Sequence, residues 1–146
     1  MAHTEFCKNV NWDKNRWPNF SCKELASPDT GEIWWDTRFF DMLQKLRDKA
    51  GVPLQINSGH RTKEHNLSVG GAKMSRHVFA MAVDISLHNI PDKYELYRQA
   101  KKTGFTGFGF GSNFLHVDTR ESPAHWFYGP KNKPNQSKKD WPKLVL

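Results

Sequence analysis

The chain has 146 residues and a formal net charge of +7, with 37% hydrophobic and 13% aromatic residues. This length suits one domain, and the aromatic content excludes a disordered chain, which is typically poor in such residues. The longest apolar run covers residues 78–83, whereas a membrane-spanning helix needs about 20 apolar residues. The excess of Lys and Arg favours polyanionic partners such as nucleic acid, acidic lipid or the anionic polymers of a bacterial envelope. Many small soluble proteins are nevertheless basic without having a polyanionic partner.

The N-terminal stretch, residues 1–20, is polar with interspersed Trp, and we expect an arm that lies on the surface of the domain. Cys7 and Cys22 are the two cysteines. A single pair makes no disulfide framework and lacks the CxxC spacing of a zinc site; the thiols are either bridged or free, and we favour free thiols. No apolar signal segment is visible, so we expect synthesis in the cytoplasm and action in the periplasm or cell wall after release or export.

Two helices are predicted. Residues 36–50 carry apolar side chains at intervals of three and four, which is typical of an amphipathic helix. Asp36 suits its N-cap and Gly51 its end. Pro91 suits the first turn of a second helix, which we expect to end at Gly104.

The other predicted elements are strands and loops without βαβ regularity. Strands are expected over residues 54–57, 78–87, 106–110 and 114–118, the last two as a β-hairpin. Residues 58–76 are polar and contain three glycines, which predicts a loop with about one helical turn. Residues 129–146 form a basic, extended tail, and the whole pattern indicates an α+β domain.

His77, Asp84 and His116 are candidate metal ligands, because zinc accepts neutral imidazole and carboxylate in catalytic sites. Seven residues separate His77 from Asp84, which is about 10 Å along a helix and about 23 Å along a strand. Neither regular form brings both side chains to one ion, so the chain between them must bend. The spacing alone is also compatible with three residues that bind no metal: a surface histidine, a helix-capping aspartate and a strand histidine.

Several motifs occur in the order typical of one family. The stretch SGHRTKEHNLSVGGAKMSRHVFAMAVDI (58–85), followed by FLHVDTR (114–120) and preceded by NFSCKEL (19–25), resembles the zinc D-alanyl-D-alanine carboxypeptidases. That family includes phage-type endolysins, and its members cut peptidoglycan stem peptides. The resemblance spans roughly residues 19–128 and implies a Hedgehog/DD-peptidase-like fold, a small antiparallel sheet with flanking helices. It predicts a single zinc peptidase domain over residues 1–128, followed by the tail.

The resemblance implies a role for each matching residue. His77, Asp84 and His116 would bind Zn²⁺, and Arg61 would contact the substrate carboxylate or the developing oxyanion. A guanidinium suits this task because it is a permanent, fork-shaped donor, although an ordinary surface salt bridge is the alternative.

Other matching positions lie around these residues. Ser75 would lie at the rim of the site, Asn66 would pin the loop, and Trp126 would either wall the cleft or belong to the core. His60 replaces the usual Tyr and Ala80 the usual Gly, which matters only if the latter position needs a positive φ.

The general base is not given by the motif. Many relatives carry an acid or histidine three residues before the second histidine, where this chain has Asn113, which cannot accept a proton. Asp118 shares the strand face of His116. It would either accept the proton of the attacking water as a catalytic residue or orient His116, with a structural ion pair as the third possibility.

The resemblance favours a zinc metallopeptidase that hydrolyses stem peptides, cutting either an L-Ala–D-Glu or a D-Ala-containing link. A zinc-bearing but inactive wall-binding or interaction module, as in Hedgehog domains, is the alternative, and the missing acid at Asn113 favours it. A nucleic-acid binder is suggested by the charge, but no nucleic-acid motif is present. We expect a monomer whose basic surface also attracts anionic envelope polymers.

Overall fold

A computed structural model describes residues 2–146. The helices are short except for two: α1 (Cys22–Leu25), α2 (Thr37–Ala50), α3 (Lys63–Ser68), α4 (Arg76–Phe79) and α5 (Lys93–Thr103). The strands are β1 (His3–Phe6), β2 (Glu32–Trp35), β3 (Ile56–Ser58), β4 (Ala82–Ser86), β5 (Gly107–Phe110), β6 (Phe114–Asp118) and β7 (Ala124–Phe127). Short 3₁₀ helices cover Cys7–Asn9 and Gln136–Asp140. None of the helices in the described part of the chain has the length and apolar character of a membrane span.

The main sheet has five strands in the order β3-β4-β6-β5-β7. Its pairs are antiparallel except β5 with β7, which run parallel. The predicted hairpin is confirmed as β5 and β6, and the predicted α+β class is confirmed. The predicted strand over residues 78–87 is wrong at its start, because Val78 and Phe79 belong to α4 and the strand begins at Ala82.

The two long helices contact each other and bury apolar side chains in the core. Asp36 caps α2 by accepting a hydrogen bond from the Phe39 N–H, and Gly51 ends the helix at φ 67°, as predicted. The second helix starts later than predicted. Pro91 precedes the helix instead of lying in its first turn, and Asp92 is the N-cap, its carboxylate accepting hydrogen bonds from two backbone N–H groups of that turn.

The N-terminal arm is tied to the domain more firmly than predicted. Cys7 and Cys22 form a disulfide, so the expectation of free thiols is wrong. The arm also pairs β1 with β2 and buries Trp17 and Phe20 in the core. Local spacing cannot reveal this pairing, because folding of the arm against α1 is what brings the two sulfurs together.

The C-terminal segment is folded against the sheet, which corrects the expectation of an extended tail. Trp141 is buried, and its indole N–H donates a hydrogen bond to the Gly111 carbonyl at 2.8 Å. The Ser137 hydroxyl donates to the Phe110 carbonyl at 2.6 Å. Charge and proline content suggested an exposed tail, but two buried side chains anchor the segment. The five lysines that it carries are exposed: Lys131, Lys133, Lys138, Lys139 and Lys143.

Candidate metal centre and cleft

One turn of helix explains how His77 and Asp84 meet although seven residues separate them. Ser75 caps α4, its hydroxyl accepting a hydrogen bond from the His77 N–H at 3.2 Å. Ala80 ends the helix at φ −153°, a conformation that needs no glycine. The chain then enters β4, whose antiparallel register with β6 places Asp84 opposite His116.

The three predicted ligands form a compact triangle. The His77 Nε2, His116 Nδ1 and Asp84 Oδ1 atoms lie 3.1 Å apart in each pair. Tetrahedral zinc with bonds of about 2.0–2.2 Å holds its ligand atoms about 3.3–3.6 Å apart, which is close to this spacing. The residue types and the spacing therefore fit one zinc ion.

The hydrogen bonds behind each imidazole direct a lone pair into this triangle. The His77 Nδ1 lies 2.6 Å from the Gly59 carbonyl, and the His116 Nε2 lies 2.8 Å from the Asp118 carboxylate. Each of these nitrogens must donate to its acceptor, which assigns the tautomer. Two imidazole lone pairs and a carboxylate oxygen then converge with no proton between them, an arrangement that a cation satisfies.

The charge state of Asp84 also suits a metal. Burial raises the pKa of this carboxyl, but its interactions with the imidazoles of His116 and then His77 outweigh burial and hold the pKa well below its usual range. Asp84 is therefore a carboxylate at neutral pH, the form that ligates metal.

Arg61 lies beside the triangle, where the motif predicts it. Its guanidinium donates to the Ser58 hydroxyl at 3.0 Å and to the Asn66 carbonyl at 3.2 Å, and it approaches Asp84 at 3.5 Å. Asn66 also donates to the Ala72 carbonyl at 2.9 Å, which pins the loop. A Cβ at Gly71 would overlap Asn66, so this close approach requires glycine.

The segment that carries Arg61 packs against α1 and β2. The His60 N–H donates to the Leu25 carbonyl at 2.9 Å, and Gly59 packs too closely on Leu25 for a larger residue. His60 is buried with its Nε2 2.7 Å from the Glu32 carboxylate. His60, which replaces the usual Tyr, thus contacts Glu32 and not the three candidate metal ligands.

Asp118 is on the far side of His116 from the triangle. Its carboxylate contacts the His116 Nε2, whereas the Nδ1 faces the other two ligands. Burial raises the pKa of Asp118, but hydrogen bonds from Arg120 and then His116 outweigh it and hold the pKa well below its usual range. A general base works best with a pKa near the operating pH, so position and charge favour the orienting role over the base. Asn113 lies in the exposed hairpin turn and does not line the cleft.

The triangle lies in a cleft of about 920 Å³. Ser75 and Trp126 are among its lining residues, and the Trp126 ring is centred 5.1 Å from the His116 ring. Among the described residues that line this cleft, Asp84 is the one carboxylate. Four cations face it: Arg61, Arg76, Arg120 and Lys131.

Arg120 and Tyr128 are among the residues of this cleft that sequence reasoning missed. Burial, and then the negative charge of Asp84, raise the pKa of Tyr128, so its hydroxyl stays protonated and can donate a hydrogen bond. The two glycines in the GFGF sequence of β5 were a signal that large side chains pack closely over this strand. A Cβ at Gly107 would overlap Asp118, and one at Gly109 would lie 2.6 Å from the Tyr128 hydroxyl, so both glycines make room for the cleft wall.

Comparison with known families agrees with this geometry. The family model described as Peptidase M15 matches residues 19–118, more than half of the chain. The chain belongs to the peptidase M15 family. Membership implies a hydrolase with a peptide substrate, and the His–Asp–His cluster is consistent with the zinc dependence of M15 peptidases. No curated protein is significantly similar to the chain.

Proposed function

We propose that this M15 protein is a zinc-dependent peptidase that hydrolyses peptide bonds in peptidoglycan stem peptides, for lysis or remodelling of the cell wall. The observation that carries the proposal is the convergence of His77, Asp84 and His116 on one point of an open cleft beside Arg61. Bound zinc would supply Lewis-acid polarisation of the peptide carbonyl and activation of water.

The protein's own residues would bind and orient the peptide. Arg61 donates to a substrate carboxylate or to the oxyanion that develops on the attacked carbonyl, since its guanidinium is held at the edge of the ligand triangle. Trp126 walls the cleft and Ser75 borders it. Asp118 acts through His116 as an orienting residue, because it contacts the ring nitrogen that faces away from the cleft.

The charge of the cleft supports an anionic peptide as substrate. Four cationic side chains line it against the single carboxylate of Asp84, and stem peptides carry several carboxylates. Either an L-Ala–D-Glu or a D-Ala-containing link is compatible with this charge. Opposite charges of this kind raise the local substrate concentration and the association rate.

The proposal is tested by digesting purified peptidoglycan with the zinc-loaded protein and identifying the products by mass spectrometry. We expect new peptide termini at one type of bond. His77→Ala and His116→Ala should lose zinc and activity together, whereas His88→Ala, which changes an exposed histidine outside the cleft, should keep both. Full zinc occupancy in His116→Ala would overturn the ligand assignment.

A second candidate is a zinc-bearing module that binds wall peptides without cutting them. The observation in its favour is that the described residues lining the cleft include no carboxylate besides Asp84 to accept a proton, with Asp118 turned away and Asn113 in the exposed turn. Stoichiometric zinc, retention on peptidoglycan and no released product would favour this candidate over the peptidase.

The exposed lysines of the C-terminal segment support attraction to anionic envelope polymers. Deleting the segment would also remove the buried Trp141, so substitution is the sharper test. Replacing Lys133, Lys138, Lys139 and Lys143 by Gln, while keeping Lys131 of the cleft, should weaken binding to intact walls at low salt. The loss should be smaller at physiological ionic strength, where exposed charges are screened within about 8 Å. Cleavage of a small soluble fragment should stay nearly unchanged. Equal losses in the two assays would contradict a separate binding role.

A further inference from the structure

We propose that Arg120 is a positioning residue of the metal centre, which fixes the carboxylate of Asp118 and the ring of Trp126 and thereby the imidazole of His116. The inference rests on the zinc site of the proposed function. It concerns a residue that lies outside the ligand triangle and outside the predicted set of site residues.

Three hydrogen bonds join Arg120 to Asp118. The guanidinium donates to both carboxylate oxygens, at 2.9 and 2.6 Å, and the Arg120 backbone N–H donates to Oδ1 at 3.1 Å. This fork holds the carboxylate in one orientation, in which Oδ2 accepts a hydrogen bond from the His116 Nε2–H, with 2.8 Å between nitrogen and oxygen. Asp118 is thus held on its outer side by Arg120 while it holds His116 on its inner side.

The same guanidinium covers Trp126. Its central carbon lies 4.6 Å from the centre of the indole, within the range of a cation–π contact. The indole also neighbours the His116 imidazole, with ring centres 5.1 Å apart. Arg120 therefore reaches His116 by two routes, through a hydrogen-bonded carboxylate and through a packed aromatic ring.

The neighbouring strand leaves room for this arrangement. Gly107 on β5 lies opposite Asp118 in the ladder. A Cβ there would overlap the Asp118 carboxylate and would lie 2.5 Å from the Arg120 Nε. The glycine is thus required by the contact between Arg120 and Asp118, since its backbone conformation does not demand it.

The chain contains a matched control. Arg16 donates to both oxygens of Asp41 at 2.8 Å, and its guanidinium lies 4.9 Å from the ring of Trp17. The residue types, the two-oxygen fork and the cation–π contact match those of Arg120, Asp118 and Trp126, but none of the three candidate metal ligands takes part. Loss of this half-exposed Arg16–Asp41 fork tests the general effect of breaking an Arg–Asp fork on the fold.

The test measures metal affinity, by chelator competition for Zn²⁺ and by the visible spectrum of bound Co²⁺, together with the melting temperature of the metal-free protein. Arg120→Gln should weaken Zn²⁺ binding about tenfold, at the lower end of the 10- to 100-fold loss typical of second-layer partners, and should alter the Co²⁺ spectrum. Arg120→Lys keeps the charge but not the fork, so it should not restore either property. Arg16→Gln should leave both unchanged.

A double variant separates action through Asp118 from an independent effect. Asp118→Asn with Arg120→Gln should bind Zn²⁺ no more weakly than Asp118→Asn alone, because the route is already broken. Three results would overturn this inference and leave the proposed function standing. They are a wild-type Zn²⁺ affinity and Co²⁺ spectrum in Arg120→Gln, an equal loss of Zn²⁺ affinity in Arg16→Gln, and full additivity of the losses in the double variant. Wild-type protein that binds no zinc would instead overturn the proposed function together with this inference.

Discussion

In two regions of the molecule an arginine forms a fork with an aspartate and lies over the ring of a tryptophan. Where the N-terminal arm meets α2, Arg16 and Asp41 each have 47% of their side-chain surface exposed. In the cleft wall, the exposed fractions of Arg120 and Asp118 are 18% and 1%. The two forks have similar geometry, so their surroundings account for their different consequences.

The second partner of each aspartate shows what the difference means. Asp41 accepts its further hydrogen bond from the Trp17 indole at 2.9 Å, which anchors the arm. Asp118 accepts its own from His116, a candidate metal ligand. An ion pair in water contributes little because solvent screens it, whereas a buried one transmits its geometry to whatever it holds. The same three residue types thus attach the N-terminal arm to α2 in one place and border the candidate metal centre in the other.

The largest expected effect comes from removing each carboxylate in turn. Asp118→Ala should lower the free energy of unfolding of the metal-free protein by about 3–5 kcal/mol, since it leaves the largely buried Arg120 and His116 without their acceptor. Asp41→Ala should cost about 1 kcal/mol or less. Urea denaturation measures both, and equal losses would remove the distinction between the two regions.

The disulfide gives the next effect and concerns the arm alone. Replacing Cys7 and Cys22 by Ser should lower the free energy of unfolding by about 3 kcal/mol, because the bond closes a loop of 15 residues in the unfolded chain. Zinc affinity below the melting transition should stay at the wild-type value, since neither sulfur contacts the cleft. A parallel loss of zinc affinity would show that the arm also positions the metal centre.

Gly107→Ala tests how closely the cleft trio is packed. The added methyl meets the Asp118 carboxylate, and such overpacking costs about 1–3 kcal/mol. The variant should also weaken zinc binding, because the carboxylate must move away from His116. Thr119→Ala, at an exposed position nearby, is the control and should change neither quantity. An unchanged zinc affinity in Gly107→Ala would show that the carboxylate tolerates displacement.

The smallest effect is the response of the arm fork to acid and salt. Hydrogen bonds from Arg16 hold the pKa of Asp41 below its ordinary value, so its contribution is present above about pH 4 and is lost as the pH falls through that lowered pKa. The stability difference between wild type and Asp41→Asn should be below about 1 kcal/mol at pH 7. It should shrink in 1 M salt, where charges are screened within about 3 Å. A difference that grows with salt would contradict an ionic origin.

Local features of the structure followed from the sequence. Asp36 and Gly51 bound α2, Gly104 ends α5, and the hairpin of β5 and β6 forms where alternating apolar residues flank a turn. These features depend on hydrogen bonds and side-chain periods within a few residues, which the sequence itself displays. The matched motif also indicated the family and the three candidate ligands before any fold was known.

Tertiary structure decided the features that join distant parts of the chain. The Cys7–Cys22 bond, the burial of Trp141 and the side of His116 on which Asp118 lies were predicted wrongly or left open. Strand geometry placed Asp118 and His116 on one face, but it could not say which imidazole nitrogen the carboxylate would meet. That choice depends on Arg120 and on the space above Gly107, and so on packing between strands rather than on any pattern along one of them.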